Sequence, residues 1–113
     1  MHEMSLAQGV IDAIEAQAAR DAFTRATRVV LEVGVLSCVD AHALEFCFGA
    51  VSRDTRAQGA VLEIRTPPGR AHCFGCDGDV LIARRGEGCP DCGSHRLIVT
   101  GGEELKVKEM EVV

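Results

Sequence analysis

Apolar positions near the start of the chain fall at intervals of three and four: Met4, Ala7, Val10, Ile11, Ile14 and Ala18, with Glu15, Gln17 and Arg20 elsewhere. That period lays one apolar stripe along an amphipathic helix over residues 3–20, weakened slightly by Gly9. From Thr27 the period drops to two. Val29, Leu31, Val33 and Val35 alternate in a β-branched run that predicts a strand over residues 27–36. Ser37 or Asp40 can cap a second helix whose buried stripe is Ala43, Leu44, Cys47, Phe48 and Val51. Residues 60–66 read as a short strand stopped by Pro67-Pro68-Gly69.

The second half changes character. A cysteine-bearing segment runs from His72 to about His95, with a hairpin-like apolar piece over residues 80–83. Residues 96–100 form a short strand, and Gly101-Gly102 a flexible joint. The end alternates as Leu105 and Val107, then Met110 and Val112, a slip near Lys108-Glu109 that suggests a bulge. The predicted class is α+β. A small αβαβ domain has two helices and a mixed three-stranded sheet, and a zinc-ribbon-like lobe is inserted before the last strand. The expected division is 1–68 with 102–113 for the first domain and 69–101 for the second.

Composition narrows the chemistry. The 113 residues include four Phe and no Trp or Tyr, so the core is built from Val, Leu, Ile and Ala. A core of that size leaves a small stability margin, to which a metal staple would contribute materially. With 12 basic against 17 acidic residues the net charge is −5, and no basic stripe extends beyond Arg84-Arg85. That argues against a nucleic-acid partner, which needs a basic face to displace counterions. No apolar run approaches the roughly 20 residues that span a bilayer, and the first residues lack a signal peptide's basic and apolar regions. The expected location is therefore the cytoplasm, without membrane attachment. In that reducing setting, CxxC pairs read as metal sites rather than disulfides.

Cys73-Phe-Gly-Cys76 and Cys89-Pro-Asp-Cys92 are separated by twelve residues. Each pair can grip one ion from its own side. Zinc prefers four thiolates in a tetrahedron, and Gly75 and Gly93 suit the tight turns in which backbone N–H groups reach the sulfurs. Four cysteines leave no open coordination position, so the expected zinc is structural. A redox reading of the CxxC pairs is poorer, because neither sits between a strand and a helix. Cys47 lies on the apolar stripe of the second helix, where a free thiol acts as a small hydrophobe. Cys38 precedes a helix start, which can lower a thiol pKa. No catalytic constellation stands out, and an enzyme is not expected.

The chain opens Met1-His2-Glu3. Methionine is removed mainly before small residues, so it stays ahead of the bulky His2. The Met1 amine, the His2 amide nitrogen and the His2 imidazole could chelate one metal in a plane, a donor set that selects Ni(II) or Cu(II). Taken alone the dipeptide is weak evidence, because an exposed terminus often carries a histidine.

Met-His-Glu-Met-Ser at the start resembles the opening of the hydrogenase nickel-incorporation family HypA/HybF. Val33-Gly-Val-Leu-Ser37, the helix with Ala-Leu-Glu-Phe, the paired CxxC segment and Cys92-Gly-Ser-His95 are similar too. So are Gly102-Glu-Glu-Leu-Lys-Val107 and Met110-Glu-Val112. The resemblance implies a metallochaperone that passes nickel to the large subunit of [NiFe]-hydrogenase with the nickel-binding GTPase HypB. It also implies a nickel domain and a zinc domain. By position it makes His2 the nickel ligand, with Glu3 contributing backbone or neighbouring groups, and the four cysteines the zinc ligands. Asp40 is a further oxygen donor to consider, and His95 could reach either metal. His72 and His42 read as solvated neighbours. The chain departs from the family at Ala41-His42, where Pro-Glu is common, and at Cys38, where a small residue is usual. A monomer is expected, with a dimer as the alternative. The competing function is a zinc-ribbon adaptor that binds other proteins and never carries nickel.

Overall fold

The computed structural model describes residues 2–113. Among them the order is α1 (Glu3–Asp21), β1 (Ala26–Val33), α2 (Ala41–Val51), β2 (Val61–Arg65), β3 (Gly69–Cys73), β4 (Gly78–Ile82), β5 (Leu97–Gly101) and β6 (Leu105–Val112). The strands form two three-stranded sheets, ordered β2-β1-β6 and β4-β3-β5. The last strand therefore rejoins the sheet of the first, and β3, β4 and β5 form the insertion the sequence predicted.

The chain divides into two compact units. One comprises 1–31, 39–64 and 106–113; the other comprises Glu32–Cys38 and Arg65–Leu105. In the first unit α1 packs against α2. Ala7, Val10, Ile11, Ile14 and Ala18 are buried along α1, and Leu44 and Phe48 along α2. Met4, expected on the buried stripe, is 43% exposed because it sits in the first turn at the helix end. Asp40, rather than Ser37, caps α2: its carboxylate accepts from the backbone N–H of His42 at 2.9 Å and Ala43 at 3.1 Å. Arg28 on the central strand reaches Glu63 of β2 and Glu111 of β6 across the sheet. β6 runs antiparallel to β1, since Val113 lies opposite Arg25 and Glu104 opposite Gly34.

The strand expected over 27–36 ends at Val33. Alternation stops there, so Val35 is exposed. Leu36 instead joins the core of the second unit, with Ala71, Cys73, Val80, Ile82 and Cys89, and Leu97 and Val99 packed against them. Strand β3 was not anticipated. It lies directly after Pro67-Pro68, and its backbone is paired on both sides, with Ala71 opposite Val80 of β4 and Val99 of β5. Its odd positions face the core, while Arg70 and His72 point outward.

Two glycines let the segments of the second unit meet. A Cβ on Gly34 would lie 2.1 Å from the Gly102 carbonyl oxygen, and Gly102 itself has φ +87°, a left-handed conformation that favours glycine. Leu36 N–H donates to that same Gly102 carbonyl at 2.8 Å. Gly34→Ala is therefore expected to destabilise the protein by roughly 2–4 kcal/mol, through backbone overpacking. Gly9→Ala, in an open position on α1, should stabilise it by about 0.5–1 kcal/mol. Urea denaturation of both variants checks the contrast.

Candidate metal centres

In the second unit, the hairpin from β3 to β4 carries Cys73 and Cys76, and the loop before β5 carries Cys89 and Cys92. Their four sulfurs lie within 4.8 Å of one another. The Cys73–Cys92 separation is 3.6 Å and the Cys76–Cys89 separation 3.9 Å. Zinc–sulfur bonds of about 2.3 Å in a tetrahedron require sulfur separations of roughly 3.8 Å, so the spacing and the donor type both fit zinc. Cys73 and Cys89 are buried and Cys76 and Cys92 exposed, so the site sits at the edge of the unit's core.

The turns that hold the sulfurs follow from small residues. Cys89 N–H donates to Ser94 O and Gly93 N–H returns to Cys89 O, both at 2.8 Å. Gly93 takes φ +78°, and Gly75 passes so close that a Cβ there would lie 2.7 Å from Ser94 Cβ. Asp91 N–H reaches Cys89 Sγ at 3.4 Å.

Electrostatics makes the site hungry for a cation. Backbone N–H groups of Cys76 and Gly75, together with the Cys92 thiol, hold the Cys73 thiol down to about 7. That ionisation makes the next one harder. The Cys76 thiol is pushed up to about 12, chiefly by its contact with Cys73. At Cys92 the Ser94 backbone lowers the thiol, but the adjoining Cys73 and Cys89 thiols and desolvation outweigh it and raise it. Only a dication lets all four ionise together.

Outside this cluster, His72 lies between two carboxylates, with Nδ1 3.1 Å from Asp79 and Nε2 3.3 Å from Asp77. Asp79, then Asp77, raise its pKa. Read as a solvated neighbour of the ligands, it is instead an ion-pairing residue of the hairpin. His95 is exposed in the same unit, and a Cβ on Gly88 would touch its ring at 3.3 Å. It is not one of the four clustered ligands.

In the first unit, His2 is exposed and forms the N-cap of α1, where its carbonyl accepts from Leu6 N–H at 2.8 Å. The N–H groups of a helix's first turn have no intrahelical partner, so the His2 amide lies outside the helix's own ladder. Glu3 Oε2 accepts from Asp40 N–H at 3.2 Å, tying the start of α1 to the start of α2. The sequence placed Glu3 beside His2 but gave no sign of this bond, which joins residues 37 positions apart. That bond, then the helix-end backbone of Glu3 itself, lowers the Glu3 pKa. Met1, the expected amine donor, lies outside the described residues. His42 and Cys38 are exposed, and Cys38 takes φ +62°.

Fold and cysteine cluster together define a small α+β metal-binding protein with an inserted zinc-ribbon-like lobe. Residues 1–112 match the family model described as hydrogenase/urease nickel incorporation, metallochaperone, hypA. The chain belongs to this HypA family. It is 53% identical over 112 residues to the hydrogenase maturation factor HypA of Azotobacter vinelandii, covering 99% of each chain. It is 54% identical to the factor of the same name from Albidiferax ferrireducens, again over 99% of each. The solution structure of the Ni metallochaperone HypA from Helicobacter pylori has the same fold, with a TM-score of 0.75 at 24% identity, covering 100% of this chain and 98% of that one.

Two outcomes test these centres. Zinc must displace thiol protons, so its apparent affinity should fall more than tenfold per pH unit. The fall should steepen below about pH 7, where Cys73 is also protonated; competition with a chromogenic chelator measures it. A carboxyl held below its ordinary 4.5 stabilises the fold above that value and loses the contribution as pH falls through its lowered folded value. Melting temperatures of wild type and Glu3→Gln should therefore differ at pH 6 and converge in acid below pH 4.5.

Proposed function

We infer that this chain is a nickel metallochaperone serving the maturation of [NiFe]-hydrogenase, with structural zinc on Cys73, Cys76, Cys89 and Cys92. The family match over residues 1–112 carries the reading, and the relatives around 50% identical share the hydrogenase maturation name. The first unit, opening with Met1-His2-Glu3, is the nickel-binding part; the second, with its four thiols, is the zinc-binding part. His2 supplies the imidazole and its amide nitrogen, and Met1 the terminal amine. Glu3, next to His2 in sequence, has its carboxylate tied to the Asp40 backbone N–H, and Asp40 is a further oxygen donor to consider.

A carrier must hold nickel firmly enough to select it and loosely enough to pass it on. Amine, amide and imidazole nitrogens meet both needs, because protons compete with the metal at each. The positive end of the α1 dipole favours the unprotonated forms of these nitrogens and also moderates their hold on a dication. Nickel binding is thus expected to release protons, and mild acid to release nickel. Transfer occurs in the cytoplasm by ligand exchange toward the hydrogenase large subunit, with the GTPase HypB as partner. The role is carriage rather than catalysis.

The test is a nickel titration of untagged, zinc-loaded protein beside His2→Ala and a one-residue N-terminal extension. Calorimetry and optical spectra should give one nickel per chain with a planar d–d band, lost in both variants. Loss in His2→Ala alone would leave the imidazole as ligand and remove the amine. No nickel binding above background, with zinc retained, would replace this reading with a zinc-ribbon adaptor.

A further inference from the structure

Strand β4 lies at the edge of its sheet, in the order β4-β3-β5. The ladder fixes which of its backbone groups are already bonded. Phe74 N–H donates to Arg96 O at 2.9 Å, in register with the β3–β5 pairs. Phe74 and His72 therefore bond toward β5, and Cys73, Ala71 and Gly69 toward β4. Their partners Gly78, Val80 and Ile82 turn inward, so Asp79 and Leu81 turn their N–H and C=O groups outward. Among the described residues none of these four groups has a hydrogen-bond partner. The next outward donor does have one, and it is a side chain. Ala83 N–H donates to Glu87 Oε1 at 2.7 Å. That carboxylate oxygen fills the place a neighbouring strand's carbonyl would take.

Side chains along this edge divide by chemistry. At the Ala83 end is an open groove of about 410 Å³, whose walls include Val35, Pro68, Leu81, Ala83 and Glu87. Leu81 is 59% exposed, and Val35 43%. At the other end the carboxylates of Asp77 and Asp79 are almost fully exposed. No proline or lysine blocks the strand, and its pairing with β3 runs without a bulge. The edge is thus open, apolar at one end and acidic at the other.

We propose that the free edge of β4 is a docking site for an extended, apolar and basic segment of another protein. The segment adds to the sheet as a further antiparallel strand. Extended backbone supplies C=O and N–H groups at the spacing that Asp79 and Leu81 present. The order of its side chains follows from the register. Its first residue pairs with Ala83, and its carbonyl displaces Glu87 from the Ala83 N–H. Its third pairs with Leu81 and lies on the same face, reaching the groove. Its fifth pairs with Asp79, where a lysine or arginine meets the two carboxylates. The recognised pattern is therefore apolar-x-apolar-x-basic. So short a contact binds weakly, with a dissociation constant on the order of 10⁻⁴ to 10⁻³ M for an isolated peptide. The proposal does not depend on nickel binding: its residues leave the four clustered cysteines and His2 untouched.

NMR titration of isotope-labelled, full-length, zinc-loaded protein with the capped peptide Thr-Val-Thr-Val-Thr-Lys-Thr tests it. Amide shifts should centre on Asp79, Leu81 and Ala83 and approach saturation at millimolar peptide. Replacing the peptide's lysine by glutamate should weaken binding about threefold or more. Leu81→Pro deletes one outward donor on an edge strand, where proline is tolerated, and should abolish binding with zinc content unchanged. Glu87→Ala removes the competing acceptor and should tighten binding about fivefold. That gain in affinity decides the matter should Leu81→Pro fail to fold. Absence of edge shifts at millimolar peptide overturns the proposal. So does binding indifferent to Glu87→Ala, or equal binding of the glutamate peptide. Edge shifts that grow with protein concentration alone, without peptide, would assign the edge to a second copy and overturn it equally.

Discussion

Four sulfurs within 4.8 Å of one another cannot all carry negative charge without a cation among them, and the second unit is organised around that conflict. One thiol is eased toward ionisation by the backbone N–H groups of its knuckle, and that charge pushes its neighbours the other way. Zinc would remove the conflict at once, and its binding would release the thiol protons. The dependence reaches beyond the ligands. Cys73 and Cys89 are also two of the six buried residues that make this unit's core. With about 50 residues the unit is too small to be stabilised by apolar burial alone. Metal and core are one structure here.

The candidate nickel donors obey different physics. Four thiolates saturate a tetrahedral ion and leave no position through which it could be exchanged. The start of α1 offers nitrogen donors on an exposed helix end, where water and other ligands have access. Protons compete there with metal for each nitrogen. The Glu3–Asp40 bond adds fixed geometry, because it anchors the first residues of one helix to the cap of another. A carrier thus keeps a closed site that holds part of its fold and an open one suited to cargo.

Helix α2 shows how much one short element carries. Its cap residue Asp40 satisfies the first backbone N–H groups and, through its own N–H, holds Glu3. Leu44 and Phe48 build the core against α1. The remaining face, with Glu45 and Phe46, is exposed. Because cap, core stripe and outer face use different positions of the helical repeat, they can change independently. The helix opens with Ala41-His42, and the Asp40 cap before them is complete.

What depends on near neighbours was legible in the sequence. Periodicity gave α1, β1 and α2 to within a few residues, and Asp40 was one of two caps considered. The CxxC spacing named all four clustered cysteines, since a knuckle is built from consecutive residues. In β6 the half-buried positions are Leu105, Val107 and Met110, so the slip in alternation was legible, but Val112 is exposed. The pairing with β1 has one register at both ends, Gly34 with Glu104 and Arg25 with Val113, without the net shift of the expected bulge. What depends on distant segments was hidden. Strand β3, Gly-Arg-Ala-His-Cys, has no β-branched residue, and it is a strand because β4 and β5 supply partners on both edges. Leu36 read as the tail of a strand, but with the close approach of Gly34 to Gly102 it belongs to the core of the second unit. The Glu3–Asp40 bond and the exposed face of α2 were likewise decided by packing. Sequence periodicity reports which side of an element is apolar; only the assembled chain fixes what that side meets.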